Sequence, residues 1–221
     1  FECFVGVCCH RIEDEINQAV FVDRFNLDRI VLTNDNFDST TAYGFELSSN
    51  YKPLDWWSIN ASFDLFNQTQ TGITESLDPA IENPTASDIT QTRIEVDNTV
   101  YNARVINNFT ATKKLTLTAF AMFRGPNKGI QFENKSMFMT NIGARYSIFE
   151  GKGTISLNYN DVFNTMKARF NGTNPYLIQG QFNWESNTVY AGFNYRFGDS
   201  KYRAKRRKNR EDNEVEGGGM F

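Results

Sequence analysis

The sequence predicts an all-β chain, an antiparallel up-and-down sheet of about eight strands, and three observations carry that reading. Apolar and polar residues alternate with period two along most of the chain, as strands with one apolar face require. Short turns alternate with long polar loops between the strands. No helical periodicity interrupts them, and no run approaches the roughly 18 apolar residues of a membrane helix.

The alternation is clear in Tyr43, Phe45, Leu47 and Tyr51 against Gly44, Glu46, Ser48 and Asn50. It repeats in Trp57, Ile59, Ala61, Phe63 and Leu65, and in Leu115, Leu117, Ala119, Ala121 and Phe123. Ile142, Ala144, Tyr146 and Ile148 follow, then Ile155, Leu157 and Tyr159, then Val189, Ala191, Phe193, Tyr195 and Phe197. The strands are predicted near 2–20, 29–51, 55–70, 94–112, 114–126, 135–149, 153–168 and 179–198. Several are longer than the roughly 5–6 residues usual in soluble proteins and suit the roughly 9–11 that cross a bilayer. Residues 52–55, 112–114 and 150–153 read as tight turns, and 22–30, 70–95, 127–135 and 170–178 as long loops. Short turns at one end and long loops at the other mark a transmembrane β-barrel with periplasmic turns. Alternation alone does not separate that barrel from a soluble one turned inside out. The aromatics near strand ends, Tyr51, Trp56, Trp57, Tyr146 and Phe149, favour membrane girdles.

Composition agrees. Aromatics make up 14 % and Phe alone occurs 20 times, yet mean hydropathy is only -0.50, as strands with one apolar and one hydrated face require. The cysteines, Cys3, Cys8 and Cys9, lack the spacing of a disulfide framework or a zinc site. Cys8, Cys9 and His10 have no second ligand pair, so no metal or cofactor is expected. His10 is the single histidine, and no nucleophile–base pair is evident, so an enzyme is not expected. Five N-x-[ST] triplets, at Asn60, Asn67, Asn108, Asn134 and Asn171, read as the Asn and Thr of a wet strand face rather than as glycosylation sites.

The expected domains are a partial barrel over 1–198 and a charged, disordered tail over 199–221. The tail carries Lys201, Arg203, Lys205, Arg206, Arg207, Lys208 and Arg210, followed by Glu211, Asp212, Glu214 and Glu216. Blocks of opposite charge read as a solvated, self-neutralising tail, and no nucleic-acid partner is expected. The chain opens on Phe1 without a secretory signal, so it is expected to be a fragment.

Three motifs carry a family resemblance. Gly192, followed by Tyr195 and Phe197 in the last strand, resembles the signal by which the assembly machinery recognises outer-membrane barrels. Asn160-Asp161-Val162-Phe163-Asn164-Thr165 resembles a stretch near the C-terminus of TonB-dependent receptors, one hairpin before their final strand. Tyr43-Gly44-Phe45-Glu46 with Tyr51-Lys52-Pro53 and Trp56-Trp57-Ser58 is similar to a strand and turn of the same receptors. The resemblance spans 11–221 and weakens over Phe1 to His10, where a shifted reading frame or chimeric end is an expectation. It implies the C-terminal part of a barrel of roughly 22 strands in the Gram-negative outer membrane, closed around a plug. The function implied is uptake of a scarce ligand such as an iron chelate, cobalamin or an oligosaccharide. The implied partners are outer-membrane lipid, the barrel-assembly machinery, the missing N-terminal barrel and plug, and TonB through that plug.

The alternatives are a complete small eight-strand outer-membrane barrel with a structural or adhesive role, and a soluble barrel holding an apolar ligand. The polar inner set, with Asp64 and Arg145, speaks against the last. Within 72–97, Glu75, Asp78, Glu82, Asp88, Glu95 and Asp97 face a single cation, Arg93. Glu75, Asp78, Glu82 and Asp88 are therefore candidate ligand-loop residues, since long outer loops carry function in such barrels. Closure is expected to fail: Arg104, Phe120, Met122, Arg124 and Arg145 are too bulky for the interior of an eight-strand barrel.

Overall fold

The structure, a computed structural model, describes residues 2–78 and 80–197. The 199–221 tail lies outside the described residues. Eight strands form one antiparallel sheet. They are β1 (Glu2–Val22), β2 (Ile30–Leu54), β3 (Trp57–Leu77), β4 (Ile89–Thr110), β5 (Leu115–Arg124), β8 (Met137–Ile148), β9 (Gly153–Asn160) and β12 (Thr188–Tyr195). They pair in that order, each with its neighbours in sequence. Four shorter strands, β6 (Asn127–Lys128), β7 (Phe132–Asn134), β10 (Lys167–Gly172) and β11 (Ile178–Asn183), form a second sheet in the order β11-β10-β7-β6. Both of its hairpins are insertions in loops of the first sheet, so it crowns the loop end.

The register carries each alternating set onto one face. Leu47 lies opposite Phe63, Phe63 opposite Ala103, and Ala103 opposite Phe123. Phe123 lies opposite Phe138, Ala144 opposite Leu157, and Leu157 opposite Ala191. β1 continues the face with Val5 and Val7, opposite Leu47 and Phe45, so residues 2–10 extend the ladder without a break. Val189, Leu157, Ile142 and Phe193 all stand half or more exposed. A contiguous apolar face of this extent requires a cover. The lumenal set shares the other face, where the Arg104 guanidinium sits 5.5 Å from the Phe120 ring centroid.

The apolar face has edges. At the turn end Trp57 stacks on Phe109 at 5.9 Å, and the Trp57 Nε1–H donates to Asn107. At the loop end Tyr101 stacks on Phe123 at 5.8 Å. Beyond Leu65 the same face turns polar. The Asn67 amide donates to Thr99, and the Thr69 hydroxyl donates to Asp97 at 2.6 Å. The stretch from Trp57 to Leu65 matches the roughly 9–11 residues of a membrane strand, and the rest of β3 stands above the band.

The small core, Ala19, Phe37, Val96 and Ile130, also lies above the band, where the loop between β5 and β8 folds onto the lumenal side of the strand extensions. A soluble barrel would have its core at the centre of its strands. Here mid-strand apolar residues such as Leu117, Ile142 and Leu157 stand exposed and contribute nothing to the core, as a lipid-facing set would.

Four strand boundaries differ clearly from the sequence expectation. Residues 70–77 and 89–95 continue β3 and β4, leaving a connection of only 78–88. Above the membrane both faces of a strand are wet, so period two disappears. The β propensity of Thr71, Ile73, Thr74, Thr90 and Thr92 still favours extended chain. Likewise 161–166 is a turn, and 179–183 belongs to the crown instead of the last strand.

The sheet does not close. Among the described residues β1 pairs only with β2, and β12 only with β9. Both edges of the band are open among the described residues. At the loop end, however, β1 is sealed by side chains. The Val20 N–H donates to the Gln131 Oε1 at 2.6 Å, and the Gln131 Nε2 donates back to the Val20 carbonyl at 3.1 Å.

Candidate functional sites at the two ends of the wall

The loop end is organised by two buried carboxylates. Glu75, in the β3 extension, has no solvent exposure. It accepts hydrogen bonds from both terminal nitrogens of Arg24, from Gln91 Nε2 at 2.9 Å and from the Val22 N–H at 3.0 Å. Burial pushes this carboxyl up. The bonds from Arg24, Gln91 and Val22, with the Arg24 charge, outweigh burial and hold it below the usual range. Arg24 is raised in turn by its bond to Glu75. The group ties the β1–β2 loop, β3 and β4 together.

Asp161 is the second hub, also without exposure. Its carboxylate accepts from the Thr165 N–H at 2.9 Å, the Met166 N–H at 3.0 Å and the Ser186 hydroxyl at 2.6 Å. Its own N–H donates to Asn141, and its carbonyl accepts from the Asn187 amide. Asp161 and Asn164 adopt left-handed backbone, φ 43° and 52°, which Asp and Asn tolerate best among non-glycine residues. Burial raises this carboxyl, and the bonds led by Ser186 bring it below its ordinary value. The Asn160–Thr165 motif thus ends β9, starts the excursion into the crown and fastens the chain as it returns to β12.

The candidate ligand-loop residues divide. Glu75 belongs to the hub beneath the loop. Asp78 accepts the Ala80 N–H at 2.9 Å within a tight turn. Asp88 caps a short 3₁₀ turn, accepting the Thr85 N–H and hydroxyl at 2.7 Å each, and these bonds lower its carboxyl. Glu82 is exposed on the loop itself. Arg24, Gln131 and the amides lining the crown carry no sequence pattern that marks them. Asp161 sits in a motif, but its partners at 186 and 187 become visible only in three dimensions.

The crown is packed on its own aromatics and tied to the β1 side of the main sheet. Phe132 meets Phe170 edge-on at 5.7 Å, and Phe170 stacks on Phe182 at 5.9 Å. The Tyr176 hydroxyl donates to the Leu27 carbonyl in the β1–β2 loop.

At the turn end, Tyr195 and Phe197 pack edge-on at 4.7 Å, and Phe149 meets Tyr195 at 5.7 Å. The Arg196 N–H donates to the Lys152 carbonyl at 2.8 Å. Gly192 lies opposite Ser156, whose hydroxyl donates to the Gly192 carbonyl, and a Cβ at Gly192 would meet the Ser156 Oγ at 2.6 Å. Gly192 and Tyr195 thus lie in the open edge strand, and Phe197 packs on Tyr195 two residues past its end.

A one-faced apolar band bounded by aromatics, with wet extensions above it and short turns below, defines the wall of a transmembrane β-barrel of the outer-membrane kind. The family model described as the outer membrane protein beta-barrel family matches residues 3–195, and the chain belongs to that family. Its place is therefore the outer membrane. No curated protein and no solved structure matches the chain.

Proposed function

We propose that this chain is the C-terminal wall of a TonB-dependent uptake receptor, which admits a scarce ligand such as an iron chelate, cobalamin or an oligosaccharide. The observation that carries the reading is the open sheet. Both edges of the membrane band lack partners among the described residues, and backbone groups left unpaired in lipid cost several kcal/mol each. More wall must complete them, and the Arg104, Arg124 and Arg145 side suits a wide, filled lumen better than a narrow one. The motifs at Tyr43–Glu46, Asn160–Thr165 and Gly192–Phe197 support the same family of receptors. In this reading the preceding barrel strands and plug join β1, TonB acts through the plug, and the assembly machinery reads β12. The chain performs no catalysis.

Energy-dependent uptake tests it. Cells carrying the intact protein should take up its ligand only with functional TonB and a proton gradient. Uptake that persists in a TonB-null strain rejects the proposal.

A further inference from the structure

Beneath the crown, on the lumenal side, lies a cavity of about 300 Å³ walled by the extensions of β1, β2 and β3 and by the chain from β6 to β7. That is the lower end of the usual ligand-pocket range. Most such pockets are apolar with few polar groups. This one is lined mainly by carboxamide residues, Asn17, Gln18, Gln68, Gln70, Asn127 and Asn134, with Phe37 and Phe132 as its apolar residues.

Several of these amides have unused capacity. Asn17 Nδ2 is sealed from solvent with no partner among the described residues. Such orphans are rare in folded proteins and point to a missing partner. Asn127 spends its Oδ1 on Asn98 Nδ2 at 2.7 Å, which leaves its own two N–H donors. Gln131, also in the wall, is committed to Val20. Glu15 is the only ionisable residue on the lining, and its carboxylate already accepts the Thr40 hydroxyl.

We propose that this cavity binds an uncharged polyhydroxylated ligand, a neutral oligosaccharide. The proposal rests on the uptake reading above and selects its substrate class. A hydroxyl is both donor and acceptor, and so is a carboxamide, so a ring of amides meets a sugar whichever way its hydroxyls turn. The half-buried ring of Phe132 offers surface to the C–H face of a pyranose, and Phe37, buried in the core, backs the wall. An anionic iron chelate would enter a site with no cation on its lining and one carboxylate, at a desolvation cost nothing there offsets. An extended peptide would seek backbone edge groups, and Gln131 already occupies those of Val20.

The intact protein, purified from outer membranes in detergent, is tested on a printed array of neutral gluco-, manno- and xylo-oligosaccharides. Acidic oligosaccharides, ferric citrate and tetra-alanine are measured alongside. Binding to a neutral series is expected, with weak or no binding to the other three. Asn17→Leu, Gln70→Leu and Gln18→Ala should each weaken it, by about tenfold where one hydrogen bond is lost. Gln18 is exposed, so its variant guards against misfolding of the others. Failure of every neutral series, preference for ferric citrate or the peptide, or binding unchanged in all three variants overturns the assignment. The assay needs no TonB. TonB-independent uptake alongside saccharide binding would sink the transport reading alone, and TonB-dependent iron uptake without saccharide binding would sink this one alone.

Discussion

Replacing Glu75 by alanine removes the acceptor for Arg24, Gln91 and the Val22 N–H at once. Breaking a buried ion pair costs about 3–5 kcal/mol when the surviving charge stays buried. The Arg24 side chain is 42 % exposed and can turn into solvent, which lowers the figure. The Val22 N–H has no such escape, and an orphaned buried donor costs about 1–3 kcal/mol. A local loss of about 2–3 kcal/mol is therefore expected. At 1.4 kcal/mol per factor of ten, it would speed opening of the β1 end by roughly 30- to 150-fold. Amide hydrogen exchange on the intact protein in detergent reads this directly at Val20, Val22 and residues 24–28. Arg24→Ala should also loosen this end, because it strands a buried carboxylate, and the double variant should lose less than the sum of the singles. Asp78→Ala, which touches only its own turn, should leave the Val22 amide unchanged. Unaltered exchange at Val22 in Glu75→Ala, or strictly additive losses, would refute the hub.

Glu75 and Asp161 both titrate below the ordinary carboxylate range, so their stabilisation is complete above the unfolded value of about 4 and is lost as pH falls through the lower folded values. Loop-end exchange, corrected for intrinsic rates, should stay flat from about pH 8 to about pH 5 and rise only under stronger acid, whereas a rise near neutrality would contradict the assignment. At Gly44 an added Cβ would lie 2.2 Å from the Leu65 carbonyl, so Gly44→Ala should cost about 1–3 kcal/mol, read as a lower denaturation midpoint in detergent; an unchanged midpoint would show that the strands can part. Tyr195→Ala with Phe197→Ala should lower the amount of folded protein in the outer membrane several-fold at equal synthesis, and normal levels would remove the aromatics from the assembly signal. Deleting residues 79–87 spares both Glu75 and Asp88 and so tests the loop alone; unchanged uptake would deny it a part in ligand capture.

The membrane band was legible in the sequence because only there does one face meet lipid and the other water. Period two at Trp57–Leu65 and Leu115–Phe123 reports that contrast directly. It falls silent in the upper halves of β3 and β4, where Thr69 and Asp97 sit on the same face as Phe63, now in water. The crown was illegible for a different reason. β6 and β7 are two and three residues long; β6 pairs with β7, and β7 is held by pairing with β10 some forty residues away. Glu75 stood out in sequence only as one acid among six, and its commitment to Arg24 depends on a long-range approach that spacing does not encode. Asp161 was found through its motif, although the motif does not reveal that Ser186 and Asn187 complete it.

One face of the eight-stranded sheet meets lipid and the other lines a lumen. Single tryptophans placed at Phe63, Leu117, Ile142 and Leu157, and at Ser62, Thr118, Asn141 and Asn158, can be read by brominated-lipid quenching in bilayers containing the intact protein with its native tryptophans replaced. Strong quenching is expected at the first four positions and little at the second four, alternating residue by residue along β3, β5, β8 and β9. Equal quenching of the two sets, or the reverse pattern, would contradict it.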